Sequence, residues 1–211
     1  MRRSHLVSVA RHLADSLRGR NDALCLQMTR LLIEGRPVPP ARLAATLGRS
    51  TEQVTEVLAH LTDVERDEDG NVVGWGLTLI PTSHQFQVDG RLLYTWCAFD
   101  ALSYPPLFNR EAKIASICPV TDVPVSLSIA HTGIVNLIPE SAVISLKIPV
   151  PSEGDDGGRA TFCHLGHFFA SPDAAARWQT THPGTQIFSI EDAYQLGQLV
   201  AFYRYANGKE Q

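Results

Sequence analysis

The spacing of apolar side chains changes sharply along this chain, and that change limits the folds open to it. Apolar positions recur at helical spacing in the segments 5–18 and 22–34. The prolines within residues 36–40 interrupt the pattern, and the helical spacing then resumes at 41–47 and 50–61. The N-terminal part is therefore predicted to be helical, and its last two helices have the pattern of a helix-turn-helix.

Local signals at the ends of these segments favour the same interpretation. Gly48-Arg49 is predicted to be the turn between the last two helices, and Ser50 with Gln53 fits a capping box. The segment Asp67-Glu68-Asp69-Gly70-Asn71 is then predicted to turn between two short strands, the second of which covers 72–79. Residues 1–80 are thus predicted to form a winged-helix-like domain.

Beyond the connector Pro81-Thr82-Ser83, apolar residues follow the spacing of strands. Short strands are predicted at 85–88, 112–117, 123–130, 134–137 and 142–148. Helices are predicted at 96–107, from Ser171-Pro172-Asp173 onward and from Ser189 to residue 206, with a polar, glycine-rich loop at 152–158. The predicted fold class is α+β, in which the winged-helix-like domain precedes a mixed domain, 81–211, of short strands flanked by helices.

Composition and charge exclude several classes of protein. The 211-residue chain has a net charge of −4, which argues against a general binder of polyanions. It contains no run of about 18 apolar residues that could span a membrane, and charges interrupt the N-terminus too early for a signal peptide. A cytoplasmic protein without a membrane partner is therefore predicted. Because no coiled-coil pattern is present, we expect a monomer or a weak homodimer.

Two cysteines and one carboxylate are the candidate functional groups. Cys97 and Asp100 lie three residues apart at the start of the predicted helix at 96–107, and Cys163 lies in a phenylalanine-rich segment. Without an export signal the cysteines are predicted to be reduced, and thiolates are the ligands that a soft metal prefers. The helix N-terminus should favour the Cys97 thiolate, and Asp100 on the same face could move a proton. Buried structural cysteines are the alternative that these residues alone leave open.

The sequence around these residues resembles the alkylmercury (organomercurial) lyase family. The resemblance extends over residues 80–200, keeps the family's order and spacing, and is weaker in the N-terminal part. It rests on the segments Thr95-Trp96-Cys97-Ala98-x-Asp100, Cys118-x-x-Thr121-x-x-Pro124-Val125-Ser126-Leu127, Arg159-x-x-Phe162-Cys163-x-x-x-His167-Phe168-Phe169-Ala170-Ser171 and Gly197-Gln198. Together these matches are far more specific than a lone Cys-x-x-Asp.

The resemblance implies an enzyme that cleaves the carbon–mercury bond of R–Hg⁺ by protonolysis, giving the hydrocarbon R–H and Hg²⁺ in mercury detoxification. Cys97, Asp100 and Cys163 would be its catalytic residues, and the two cysteines would hold the Hg²⁺ product. No cofactor is implied. Small external thiols would release the product, mercuric reductase is the expected acceptor of Hg²⁺, and no nucleic acid partner is expected. The part at 81–211 would be the catalytic domain.

Further matched positions imply supporting roles around the pocket. Arg159 could lower a thiol pKa or steady the loop at 152–158, which could open and close over a substrate; a solvated loop arginine is the alternative. Independently of these matches, the aromatic residues expected to line or back the pocket are Trp96, Phe99, Phe162 and Phe168, with a place in the hydrophobic core as the alternative.

The remaining cysteines and histidines receive structural interpretations. Cys118 matches a position that is structural in the family and is predicted to be a buried hydrophobe, as is Cys25. His167 fits the family as a packing or hydrogen-bonding residue. Some relatives have a cysteine where His164 stands, so a third-thiol role is doubtful in this chain.

Three alternatives to a lyase come from other functional classes. A soft-metal-responsive (mercury or copper) transcription regulator would use the helix-turn-helix and the nine arginines that residues 1–61 hold against five acidic residues. Its recognition helix, however, would set Glu52 and Glu56 against Arg49, which leaves negative charge where phosphates should bind. A cysteine hydrolase with His167 as base would leave one cysteine without a role. A copper- or zinc-binding protein without catalysis would share the same ligands.

Overall fold

The N-terminal helices lie where the apolar spacing predicts them. A computed structural model describes residues 3–17, 22–148 and 162–206. The helices in this part are α1 (Arg3–Ser16), α2 (Asp22–Leu32), α3 (Pro40–Leu47) and α4 (Thr51–His60). No helix in the described ranges is long and apolar enough to cross a membrane.

The turn between α3 and α4 lies at Gly48-Arg49, and the two helices that it joins pack against each other. Gly48 ends α3 with a positive φ of 62°, which glycine adopts without steric cost. The Ser50 hydroxyl accepts a hydrogen bond from the Gln53 backbone, and the Gln53 side chain accepts one from the Ser50 backbone. The predicted turn and capping box are therefore confirmed.

The short strands that follow α4 form the wing of the winged-helix-like part, and they differ from their prediction in one detail. The wing contains β1 (Glu65–Arg66), β2 (Val72–Trp75) and β3 (Leu77–Thr78). The single strand predicted at 72–79 is wrong, because Gly76 has a φ of 69° and turns the chain between β2 and β3. These two strands then pair antiparallel with each other.

The wing strands are part of one eight-stranded sheet. The other strands are β4 (His84–Val88), β5 (Arg91–Thr95), β6 (Ala112–Ile117), β7 (Pro124–Ala130) and β8 (Gly133–Ile138). Their order is β1-β2-β3-β5-β4-β6-β7-β8, and β3 pairs with β5 at Leu77–Thr95 and Thr78–Tyr94. The winged-helix-like part and the following part thus share a continuous set of backbone hydrogen bonds.

A smaller sheet and three helices complete the described chain. Its central strand β9 (Val143–Lys147) pairs antiparallel with β10 (Phe168–Phe169) and with β11 (Thr185–Ser189). The helices are α5 (Ala98–Phe108), α6 (Pro172–Gln179) and α7 (Ile190–Ala201), and a π-helical turn, Phe202–Ala206, continues α7. The predicted caps Ser171 and Ser189 accept backbone hydrogen bonds at the starts of α6 and α7.

One hydrophobic core joins the two parts of the chain. The C-terminal helix α7 packs against both α5 and the N-terminal helix α1. Gly197 allows the close approach of α7 to α5, since a Cβ there would lie 2.5 Å from the Ser103 hydroxyl oxygen. Ala98 and Phe99, at the start of α5, are buried in this core.

Candidate active site

Cys97 is the N-cap residue of α5. Its backbone is extended, with φ −148° and ψ 168°, and its Sγ accepts a hydrogen bond from the Asp100 backbone N–H at 3.4 Å. The Thr95 hydroxyl donates to the Cys97 carbonyl oxygen at 3.0 Å. The predicted helix therefore begins two residues later than expected, but Cys97 lies at its start as predicted.

Cys163 reaches the same place on a single turn of 3-10 helix, Cys163–Leu165. The Ser145 hydroxyl of β9 donates to the Leu165 carbonyl oxygen at 2.6 Å and fixes this turn to the smaller sheet. The next residue, Gly166, accepts a 2.9 Å hydrogen bond from the Ala98 backbone N–H. A side chain at Gly166 would crowd Cys97, because its Cβ would lie 2.9 Å from the Cys97 Cβ.

These contacts bring the three predicted residues together. The Cys97 thiol donates to Asp100 Oδ2 at 3.1 Å, and the Cys163 thiol donates to the same oxygen at 3.7 Å. All three potential ligand atoms lie within 4.8 Å of one another, and this is the one such cluster of three or more His, Cys, Asp or Glu among the described residues. Two soft ligands and a proton acceptor therefore share a buried site.

Burial sets the protonation of the three groups. It raises the pKa of Asp100 to about 6, against the hydrogen bonds from Cys97, Tyr104 and Cys163, which lower it. Asp100 is therefore mostly ionised at neutral pH, and its proton can move within the physiological range. A carboxylate with such a pKa suits proton transfer near neutral pH.

The prediction that the helix start favours the Cys97 thiolate is wrong in its net effect. Burial raises the pKa of Cys97 well above its ordinary value, and the hydrogen bond with Cys163 and the Asp100 charge add to this; the Asp100 backbone N–H only partly opposes them. A hydrogen bond with Cys97 lowers the pKa of Cys163, but burial and the Asp100 charge outweigh it. Both groups are thus thiols at neutral pH, and each needs a base to ionise it.

A cavity of about 690 Å³ opens against Asp100 and Cys163. Of the aromatic residues predicted to surround the pocket, Trp96, Phe99 and Phe162 line it, and the rings of Phe99 and Phe162 meet edge to face at 5.8 Å. Phe168 is fully buried instead against the His84 ring. The cavity is large enough for an organic group beside Cys163 and Asp100, whereas Cys97 is fully buried and is not among the residues that line it.

Several residues of the cavity were not found from the sequence. Tyr104, one turn after Asp100 on α5, lines the cavity and, as a hydrogen-bonding group, lowers the pKa of that carboxylate. The N-terminal helix α2 contributes Cys25 and Thr29, and Arg204 comes from the last turn. Tyr104 could have been found from its i, i+4 spacing from Asp100, which places both side chains on one face of a helix. No local pattern marks the others, because they come from distant elements.

The histidines after Cys163 do not join the cluster. His164 is exposed, and the His167 ring packs edge to face on Trp178 at 5.3 Å, so the packing role predicted for His167 agrees with the structure. Arg159 and the loop at 152–158 lie outside the described residues.

Cys118 is fully buried at the end of β6 and does not line the cavity. Burial alone would raise its pKa, but hydrogen bonds from the Thr121 side chain and from the backbones of Ala170, Val120 and Thr121 lower it below its ordinary value. The interpretation as a simple buried hydrophobe is therefore incomplete, because its sulfur lies among polar donors.

Two family models together match most of the chain. The family model described as alkylmercury lyase matches residues 77–201, and the helix-turn-helix domain of alkylmercury lyase matches residues 8–76. The chain belongs to the alkylmercury lyase family. The family resemblance stated from the sequence motifs is thereby confirmed, and membership does not favour the regulator.

Individual relatives match across most of the chain. The alkylmercury lyase of Bacillus cereus is 44% identical over 175 residues, which are 82% of this chain and 78% of that protein. The alkylmercury lyase of Pseudomonas putida is 41% identical over 178 residues, which are 84% of this chain and 82% of that protein.

A solved structure supports the fold. The crystal structure of the mercury-bound form of MerB2 superposes with a TM-score of 0.77 at 23% identity, over 96% of this chain and 100% of that one. At this identity the likeness shows the fold alone. The predicted α+β class, with a helix-turn-helix part followed by a mixed part, is confirmed.

Proposed function

We propose that this protein is an organomercurial lyase that cleaves the carbon–mercury bond of R–Hg⁺ by protonolysis. The observation that carries the proposal is the convergence of two thiols on one oxygen of a buried carboxylate, Asp100 Oδ2. Thiolates are the protein ligands best suited to a soft metal ion. The family's members in Bacillus cereus and Pseudomonas putida are named alkylmercury lyases, in keeping with this chemistry.

The first step is exchange of ligands on mercury. The substrate arrives as R–Hg–X, where X is the thiolate of a small molecule. One site thiol, from Cys97 or Cys163, replaces X, and its proton leaves with X as H–X. Mercury remains divalent, and the carbon–mercury bond is still intact.

The second step uses Asp100 as a base and then as an acid. The carboxylate accepts the proton of the remaining thiol, and the new thiolate binds mercury. Two thiolates increase the electron density on the carbon, which takes the proton from the Asp100 carboxyl group. The electron pair of the mercury–carbon bond becomes the carbon–hydrogen bond, so R–H leaves and Hg²⁺ stays on both sulfurs without a redox step.

This mechanism requires no resident cofactor from the protein. Because Hg²⁺ would end on two thiolates, external small thiols must compete for it before the next turnover. We propose mercuric reductase as the acceptor of the released ion, with both proteins in the cytoplasm. A monomer or a weak homodimer is sufficient, since the described cavity and all three reacting groups belong to one chain.

The helix-turn-helix part, residues 1–80, serves as a cover for the catalytic part, residues 81–211. Cys25 and Thr29 of α2 line the cavity, and the wing strand β3 continues the sheet that leads into Cys97. On the exposed side of α4 lie Glu52 and Glu56, which would repel a phosphate backbone. A structural role therefore fits this part better than DNA recognition.

The deciding experiment follows benzene by gas chromatography while purified protein is incubated with phenylmercuric acetate and excess thiol. The wild type should release benzene in multiple turnovers. Asp100→Ala should bind mercury with wild-type stoichiometry but release benzene about 100-fold more slowly or not at all. Mercury binding without benzene from the wild type would refute the lyase and leave a soft-metal binder.

A further inference from the structure

One residue beside the reacting groups has no part in the chemistry above. Tyr104 lies four residues after Asp100 on α5, on the same helix face. It lines the cavity together with Asp100, and its hydroxyl lowers the pKa of that carboxylate as a hydrogen-bonding group. The two thiols approach the carboxylate at Oδ2, so Tyr104 is a third side chain that acts on the group that moves the proton.

The opposite side of the Tyr104 hydroxyl is shaped by Gly76. This glycine turns the chain between β2 and β3 with a φ of 69°, and any Cβ there would overlap the Tyr104 hydroxyl. Its carbonyl oxygen accepts a 2.8 Å hydrogen bond from the Trp96 backbone N–H, directly before Cys97. The hydroxyl is therefore enclosed between the wing and α5, at a position tied to the reactive segment.

We propose that Tyr104 is a positioning residue of the lyase reaction, whose hydroxyl, enclosed by Gly76, holds the Asp100 carboxylate toward the two thiols. This inference rests on the proposed function. The terminal torsion of an aspartate side chain is broad, so a carboxylate held only by thiols would rotate when they transfer to mercury. At that moment Tyr104 and the Cys97 backbone N–H are the donors left among the described residues. The backbone group fixes one side of the carboxyl group, and the Tyr104 hydroxyl keeps it aimed at the carbon.

The chemistry of the phenol suits this role. Burial and the nearby Asp100 charge raise the pKa of Tyr104 well above its ordinary value, so the hydroxyl stays protonated and remains a donor. Tyrosine brings that donor on a rigid ring with only two side-chain torsions. Replacement by phenylalanine removes the donor while the ring still fills the cavity wall.

The test is the steady-state kinetics of benzene release by Tyr104→Phe. We expect kcat to fall about tenfold while KM stays within about twofold, because substrate binds through the sulfurs and orientation matters only in proton transfer. Tyr194→Phe is the matched control, since it removes the hydroxyl of another buried tyrosine, one that is not among the residues lining the cavity. It should leave both constants unchanged.

A second substitution tests the part played by Gly76. Gly76→Ala should cost stability in both backgrounds, because its φ of 69° strains any side chain and the Tyr104 ring carbon Cζ lies 3.0 Å from the new Cβ. Its effect on kcat should be large in the wild-type background and smaller in the Tyr104→Phe background, where no hydroxyl is left to displace. Equal losses in both backgrounds, or an unchanged kcat in Tyr104→Phe, overturn the positioning role. A wild type that releases no benzene would instead refute the proposed function, so the two failures are distinguishable.

Discussion

The backbone N–H of Ala98 donates a 2.9 Å hydrogen bond to the carbonyl oxygen of Gly166. This bond joins the residue directly after Cys97 to the turn that holds Cys163, across 68 positions of the sequence. The two thiols are thus aligned by the backbone, before any metal is bound. Such preorganisation reduces the cost of bringing both sulfurs to one ion.

Gly166→Ala should show the effect of thiol alignment on turnover separately from the effect of overall stability. The new Cβ would lie 2.9 Å from the Cys97 Cβ and 3.4 Å from its Sγ, so one thiol must shift by several tenths of an ångström. Overpacking of this kind costs about 1–3 kcal/mol of unfolding free energy. We expect kcat to fall about tenfold or more, since small misplacements of reacting groups are costly.

Gly90→Ala provides the control for that variant. Gly90 lies in the β4–β5 turn with a φ of 76° and with open space around it, so alanine costs stability without touching a thiol. Urea unfolding should show similar stability losses in both variants. Benzene release should be slower only in Gly166→Ala. A normal kcat in Gly166→Ala would contradict the alignment argument.

The pH dependence of turnover should follow Asp100. Its pKa of about 6 means that the base form, which accepts the thiol proton, is lost as the pH falls below that value. We expect kcat/KM to rise with pH through 6 and to level off above it, with about a tenfold loss at pH 5. A rate that decreases from pH 5 to pH 7 would assign the titration to another group.

The same carboxylate has an opposite effect on folding. Burial raises its pKa above the value of about 3.9 in an unfolded chain, so the stability it contributes is complete below that value and is lost as pH rises through 6. The free energy of unfolding of Asp100→Asn, measured relative to that of the wild type, should therefore be larger at pH 8 than at pH 4. Urea titrations at the two pH values would measure this difference.

His84 should make the protein sensitive to acid. It is buried and its Nδ1 lies 2.9 Å from the Ser116 hydroxyl oxygen. Burial, with a smaller effect of His167, lowers the pKa of His84 to about 3, so its stabilising contribution is complete above the unfolded value of about 6.5 and is lost as pH falls below it.

His84→Gln isolates that contribution. Between pH 7 and pH 5 the wild type should lose about 2 kcal/mol more unfolding free energy than the variant, at about 1.4 kcal/mol per pH unit below 6.5. Urea denaturation at both pH values measures the change in unfolding free energy of each protein. The contributions of the other titrating groups are the same in both proteins and cancel in the comparison. Parallel pH dependences in the two proteins would show that His84 is not the sensor.

Local patterns predicted the parts of the fold that local interactions determine. The Ser50 capping box and the strand β6, Ala112–Ile117, were placed correctly because their side chains alternate or cap within a few residues. Strand β5 was missed, although Asp89-Gly90, both with positive φ, is a hairpin signal. Strand β10 has only two residues, and both β10 and β11, which were not predicted, pair with β9.

The site could be predicted in its residues but not in its electrostatics or its walls. A helix start next to Cys97 suggested a thiolate, yet the pKa depends on burial and on Asp100 approaching both thiols. Likewise, the meeting of Tyr104 with Gly76 depends on how the wing packs on α5. Contacts over such sequence distances follow from the whole fold, and no local pattern in a single sequence records them.

Cys118→Ser tests whether the remaining cysteine of the family motif is structural. The sulfur is buried at the end of β6, outside the cavity lining, where Thr121 and backbone groups hydrogen-bond to it. A serine hydroxyl can use those partners but is smaller and costlier to bury, so we expect a loss of about 1–3 kcal/mol in unfolding free energy.

Turnover should behave differently from stability in this variant. We expect kcat of Cys118→Ser within about twofold of the wild type, because the substituted atom lies away from the proton path. Cys97→Ser is the matched comparison, since it should lose benzene release while a folded protein remains. Benzene release and urea unfolding of both variants give the answer: a Cys118→Ser protein that is folded but inactive would place this thiol in the chemistry after all.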